Sequence, residues 1–141
     1  MNPKVIAIDT NVLISAVLSP EGTARKALNQ VYQGFKIAQS DETYQELVTR
    51  IYKRKFDKYI SDEERKEFLN VVKHYSQFFK VESQVEICRD VDDNKFLELA
   101  IDANAVFLIT GDRDLLSLKS QIESQTLIVT PREFLEQQVS I

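Results

Sequence analysis

A chain of 141 residues is long enough to bury one good core and too short for two, so a single domain over residues 1–141 is expected. With 43% hydrophobic and 28% charged residues and no Pro-rich, Gly-rich or repetitive stretch, the composition is that of a globular protein and excludes a disordered chain. Acids outnumber Lys and Arg by 22 to 18, a formal charge of −4, which argues against a broadly basic nucleic-acid binder and leaves carboxylates as the main chemical resource.

In chain order, Val5–Ile8 is an uninterrupted apolar run rich in branched residues, the pattern of a strand buried on both faces of a parallel sheet. Helical segments follow over residues 11–18 and 23–32, then a weaker strand over 35–38 and a helix over 41–53. A polar-rich helix is expected over 62–78, a second weak strand over 79–82 and a helix over 92–103. Phe107–Ile109, preceded by Val106, reads as a buried strand, and a short helical turn runs through Leu115 and Leu116. Leu127–Val129 is the last strand and residues 131–137 the last helix. Strands alternating with helices predict an α/β fold around a mainly parallel sheet of about five strands. In such sheets ligands bind outside the carboxyl ends of the strands, so Asp9 with Thr10, Thr110 through Asp112, and Thr130 mark the rim to inspect.

Scarce residue types narrow the chemistry. One His (His74) and one Cys (Cys88) cannot build the usual Cys/His zinc site or an internal disulfide. His74 lies in the polar-rich helix with no Ser in a nucleophile-elbow context, and reads as a surface or structural His. Gly22, Gly34 and Gly111 lie in no glycine-loop motif for a dinucleotide or NTP. The first apolar run is too short for a signal-peptide core, and no run reaches membrane-spanning length. Together with the lone thiol, this makes a cytoplasmic protein without membrane association the expectation.

The carboxylates remain, each with an ordinary structural reading beside a functional one. Asp9 can cap the following helix, but Thr10 and Asn11 can cap equally well, and a carboxylate ending a buried strand is costly to desolvate. Function is the better reading. Asp93 shares a helical face with Phe96, Leu97 and Ala100 at spacings i, i+3, i+4 and i+7, an odd place for an acid when Asp90 and Asp92 could also cap. Its structural alternative is a first-turn acid that complements the helix dipole. Asp112 and Asp114 open a short turn, where a capping or first-turn role is the structural alternative to function for each; Asp112 is nearer the strand end and so nearer the rim. Glu46 sits on a helix with an apolar stripe at Tyr44, Leu47, Val48 and Ile51 and points away from its centre, so periodicity alone reads it as solvated.

The segments D-T-N-V-L-I-S-A at Asp9 to Ala16, T-Y-Q-E-L around Glu46, D-D-N-K-F-L-E-L-A at Asp92 to Ala100 and L-I-T-G-D-R-D-L-L at Leu108 to Leu116 resemble the motifs of PIN domains. More narrowly they are similar to the PIN-family toxins of bacterial toxin–antitoxin systems, the VapC-like ribonucleases, over residues 5 to about 136. The resemblance implies a three-layer α/β/α sandwich and a catalytic and metal-holding set on Asp9, Glu46, Asp93 and Asp112, with Asp114 as an auxiliary metal ligand. Asn11 and Thr110 match the polar positions that support those acids. It implies Mg²⁺ or Mn²⁺ as cofactor, RNA as substrate, a protein antitoxin as partner and association into homo-oligomers. The choice between Asp112 and Asp114 stays open.

Electrostatics explains why such a quartet needs cations. Four charges about 6 Å apart repel by roughly 2 to 3 kcal/mol per pair at an effective dielectric near 20, or about 17 kcal/mol in all. That rivals the roughly 7 to 21 kcal/mol of stability expected for a domain of this length. All-oxygen ligands select hard divalent ions, of which one activates water for in-line attack on a phosphodiester and a second stabilises the leaving oxygen. For recognition, Arg50, Lys53, Arg54, Lys55 and Lys58 gather around Tyr52, Phe56 and Tyr59. The group suits RNA held by its phosphates, or an acidic antitoxin segment; a basic helix end with its stems over apolar rings is the structural alternative. Two other classes compete with the nuclease: a receiver-like signalling domain, and a catalytically silent PIN-like module that binds RNA or protein.

Overall fold

The computed structural model describes residues 3–84, 94–118 and 125–139. Five strands, β1 (Val5–Ile8), β2 (Lys36–Gln39), β3 (Ser76–Phe78), β4 (Phe107–Ile109) and β5 (Leu127–Val129), form one sheet in the order β3-β2-β1-β4-β5. Every pairing is parallel; Ala7 of β1 is in register with Ala38 on one side and Leu108 on the other. β1 is central and buried at all four positions, which accounts for its continuous apolar sequence. The order also excludes the receiver-like alternative, whose sheet runs 2-1-3-4-5.

Helices cover both faces. They are α1 (Thr10–Leu18), α2 (Thr23–Gly34), α3 (Asp41–Ile51), α4 (Asp62–His74), α5 (Asn94–Asp102), α6 (Arg113–Leu116) and α7 (Pro131–Val139). Because side chains alternate across a strand, Ile6 and Ile8 join one core with residues of α1, α2, α3, α4 and α7. Val5 and Ala7 join the other with Phe96, Leu97, Leu99 and Ala100 of α5, and with Leu115 and Leu118. The result is the α/β/α sandwich that the resemblance implied. Phe134 of α7 is fully buried, with Phe35 and Phe107 edge-on to its ring. No helix among the described residues is long and apolar enough to cross a membrane.

Two expected elements differ. The helix predicted over residues 62–78 stops at His74, and its last residues form the edge strand β3, while residues 79–84 adopt neither helix nor strand. The side chain of Ser76 donates to the carbonyl of Val72 (2.7 Å), the carbonyl of Tyr75 accepts from the N–H of Ile37 (2.8 Å), and Tyr75 stacks on Tyr32. Pairing with β2 thus captures a stretch whose aromatic residues fit either pattern. The helix predicted over 41–53 ends at Ile51, followed by a 3-10 turn at Arg54–Phe56. Of the helix predicted over 92–103, residues 94–102 are helical, and Asp92 and Asp93 lie outside the described residues, as do Asp90 and Cys88.

The chain runs outward from β1 to β2 and β3, then returns to the other side of β1 as β4. The sheet therefore reverses direction at the β1/β4 boundary, and a crevice opens beyond the carboxyl ends of those two strands.

Candidate active site

Asp9 and Thr110 are the residues that leave β1 and β4 at this boundary. The Asp9 N–H donates to the Ile109 carbonyl (2.9 Å) and the Thr110 N–H to the Val129 carbonyl (2.9 Å), so both are still held as strand residues where they meet the crevice. Asp9 is only 3% exposed. Its Oδ1 accepts from the Asn11 N–H (3.1 Å), capping α1, and its Oδ2 accepts from the Thr110 hydroxyl (2.8 Å). One oxygen of the carboxylate thus caps the helix and the other is held by Thr110. Burial pushes the Asp9 carboxyl above its ordinary range; the bonds from Thr110 and Asn11 oppose that rise, and the charges of Asp112 and Glu46 add to it.

Thr110 joins a second acid to the first, because its Oγ1 also accepts from the Asp112 N–H (3.0 Å). Asp112 caps α6 through Oδ1, which accepts from the N–H groups of Asp114 (2.8 Å) and Leu115 (3.3 Å). Asp9, Asn11, Ser15, Gly111, Asp112 and Pro131 line a cavity of about 360 Å³. Asp114 sits on the first turn of α6 and is not part of that lining. By geometry, Asp112 is the partner of Asp9.

Glu46 is not the solvated acid that the helical wheel reads. Its side chain is 13% exposed. Oε2 accepts from the Thr10 hydroxyl (2.7 Å), while Oε1 meets Arg50 Nη2 (2.6 Å) and Lys95 Nζ (3.0 Å). The stripe of α3 packs on the sheet while α1 lies alongside, so a position off the stripe's centre falls between the two helices. Arg50 Nη1 in turn donates to Asn11 Oδ1 (2.9 Å), tying the helix that carries Glu46 to the residue beside Asp9.

Asp9 and Asp112 thus share one cavity, and Glu46, which lines a neighbouring hollow, is tied to it through Arg50 and Asn11. Asp93 lies outside the described residues; its neighbour Asn94 starts α5 and is buried. Among the described residues no three His, Cys, Asp or Glu side chains converge closely enough to cage a metal ion by themselves. The donor chemistry is nonetheless that of a hard divalent cation: carboxylate and hydroxyl oxygens, and a buried carboxyl whose neighbouring acids oppose its ionisation. Sequence reasoning missed Lys95 as a counter-ion of Glu46, and local periodicity gives no sign of it. Arg50 left a sign, since Glu46 and Arg50 are spaced i, i+4 in the favourable order.

The basic group divides in two. Arg50, Lys53 and Lys55 line a small hollow next to the acid cavity, whereas Arg54 and Lys58 are not part of its lining. Lys55 lies over the ring of Phe56 and Lys58 over that of Tyr59. His74 is exposed at the end of α4, away from these acids, in keeping with its structural reading.

A family model for the PIN domain matches residues 5–114. An uncharacterized protein of Methanocaldococcus jannaschii is 33% identical over 141 residues, covering 94% of this chain and 90% of that protein. Among solved structures, VapBC2 of Rickettsia felis, bound to a DNA fragment from their promoter, aligns with a TM-score of 0.58 at 15% identity, over 88% of this chain and 96% of that one. PAE2754 of Pyrobaculum aerophilum aligns with a TM-score of 0.61 at 14% identity, over 96% and 90%. At these identities the two structures bear on the fold.

Proposed function

The chain belongs to the PIN-domain family, and from that premise we propose that it is a metal-dependent endoribonuclease, the toxin of a toxin–antitoxin pair. One observation carries the reading: the buried Thr110 hydroxyl donates to the Asp9 carboxylate and accepts from the backbone N–H of Asp112 where the strand order reverses, with Glu46 bonded to Thr10 beside Asp9. Asp9, Glu46, Asp93 and Asp112, with Asp114 as auxiliary, are the residues that would hold Mg²⁺ or Mn²⁺. When bound, such an ion supplies water activation and charge stabilisation at a phosphodiester.

The chain's own groups hold the acids in place for that chemistry. Thr110 keeps one oxygen of Asp9 directed by its hydroxyl, and the backbone of α6 holds Asp112 through Oδ1. Thr10, Arg50 and Lys95 fix both oxygens of Glu46. A purified preparation incubated with structured RNAs, with and without Mn²⁺, should cut them, and mapped ends would identify the bond broken. Cleavage should vanish with chelator and in Asp9→Asn and Asp93→Asn; chelator-resistant cutting by the pure protein overturns the reading.

The engagement of Glu46 by three donors supports a second reading, a PIN domain that binds RNA without cutting it. Strand binding with no cleavage in either Mg²⁺ or Mn²⁺ would select it. The toxin role adds a protein antitoxin and self-association as expected partners, to be sought by co-purification and by measuring the oligomeric state.

A further inference from the structure

The small hollow beside the acid cavity has an unusual lining for a chain of net negative charge. Asn11, Ile14, Arg50, Lys53, Lys55 and Phe56 line about 140 Å³: the cations Lys53 and Lys55, Arg50 already paired with Glu46, an amide, a ring and an aliphatic side chain. Asn11 also lines the cavity that holds Asp9 and Asp112, so the two hollows meet at one residue. Arg50 is held in a fixed orientation, since two of its N–H groups are committed to Glu46 and Asn11. A guanidinium held in this way loses little freedom on binding an anion.

The turn that carries Lys53 and Lys55 is itself secured from below. Arg65 of α4, 5% exposed, donates to the carbonyls of Ile51 (2.7 Å) and Lys53 (3.4 Å) and pairs with Asp57 (3.0 Å). The two lysines therefore stand on a fixed backbone.

We infer that this hollow is a phosphate-binding subsite for a single-stranded RNA, holding a phosphate that neighbours the one at the acid cavity. Its volume falls below the roughly 300 Å³ at which pockets begin to enclose a whole small molecule, so it takes a backbone phosphate and leaves the base outside. A basic surface that tracks the sugar-phosphate backbone is how proteins hold single strands. The inference rests on the ribonuclease reading for the identity of the strand. It also divides the basic group: Arg50, Lys53 and Lys55 act at the subsite, and Arg54 and Lys58 lie outside it.

The test uses two double variants of equal charge change, Lys53→Ala with Lys55→Ala and Arg54→Ala with Lys58→Ala. Each is measured in chelator, where metal-dependent cleavage is off, against a labelled, short single-stranded oligoribonucleotide, by anisotropy across a salt series. The first double variant should bind about tenfold more weakly and flatten the dependence of log affinity on log salt by about 1, as losing one to two single-strand phosphate contacts requires. The second should change affinity by no more than about threefold, the part that general screening of distant charge accounts for. Equal losses in the two, or no binding by the wild type, overturn the subsite. So does stronger competition by an acidic peptide than by unlabelled strand, which would assign the hollow to a protein partner. Cleavage of unmodified RNA in Mn²⁺ is scored separately. A wild type that shows the binding contrast but does not cut defeats the ribonuclease reading alone; one that cuts while the variants lose affinity equally defeats the subsite alone.

Discussion

Asp9 and Glu46 are neighbouring acids, yet the structure gives their charges opposite consequences for stability. Asp9 is buried with only hydroxyl and N–H donors, and burial raises its carboxyl. A raised folded-state value favours folding below the ordinary range near 3.8, and that advantage is lost as the pH rises through the folded value. Above that folded value the buried carboxyl is thus a burden on the metal-free protein. Asn caps a helix as well as Asp, and its amide N–H can donate to the Thr110 hydroxyl where Asp9 accepted from it, so in chelator Asp9→Asn should melt higher at pH 7 by about 3 °C, equivalent to about 1 kcal/mol. The gain should shrink as the pH falls toward 3.8; a lower melting temperature at pH 7 refutes the argument. Glu46 instead neutralises Arg50 and Lys95. Glu46→Gln should therefore cost about 1 to 2 kcal/mol in chelator, read from urea unfolding, whereas an unchanged midpoint would return Glu46 to the solvated role of the helical wheel. Asp9 and Asp112 were legible in the sequence because strand ends are where parallel sheets place their chemistry. Glu46 was legible only through the family motif, since its partners Thr10 and Lys95 come from other elements and a single-helix projection cannot contain them.

Among the elements, most boundaries follow from local chemistry. The sequences Ser40 to Thr43 and Ser61 to Glu64 form capping boxes that start α3 and α4. The edge strand β3 was not legible, because its residues continue the helical pattern of α4 and only pairing with β2 separates them. The end of α3 depends on a residue that local pattern treats as a surface base. Arg65 is buried, supplies N–H donors to carbonyls at that helix end, and lies over the ring of Tyr52 (5.5 Å). Arg65→Ala should leave those carbonyls short of donors and remove the packed stem, at a cost of about 2 to 4 kcal/mol. Arg65→Lys should recover less than half of the loss, since one ammonium cannot span the positions that the guanidinium fork reaches. Denaturant titration of the three proteins decides it; full rescue by Lys would reduce Arg65 to a simple charge.

At the scale of the molecule, the reversal of the sheet at β1 gathers acids from distant parts of the chain, and the net charge of −4 conceals their separation from the cations of the hollow. Gathered acids oppose one another in the folded protein and are far apart in the unfolded one, so a cation bound among them favours the folded state by mass action. A ligand at a hundred times its dissociation constant adds about 2.7 kcal/mol, which for a domain of this length raises the melting temperature by roughly 10 °C. Mn²⁺ added to the chelator-treated protein should produce a saturating rise of that order. Asp9→Asn, which starts higher, should gain much less, so that the two melting curves approach or cross as Mn²⁺ increases. Because protons compete for the same carboxylates, the Mn²⁺ concentration needed should rise as the pH falls. This measurement needs no RNA and reports on the site even if the substrate is unknown. An equal rise in wild type and Asp9→Asn would place the ion elsewhere on the chain. No rise in either would leave the repulsion at Asp9 offset by the internal cations Arg50 and Lys95 acting through Glu46, and the acid crevice without a metal role.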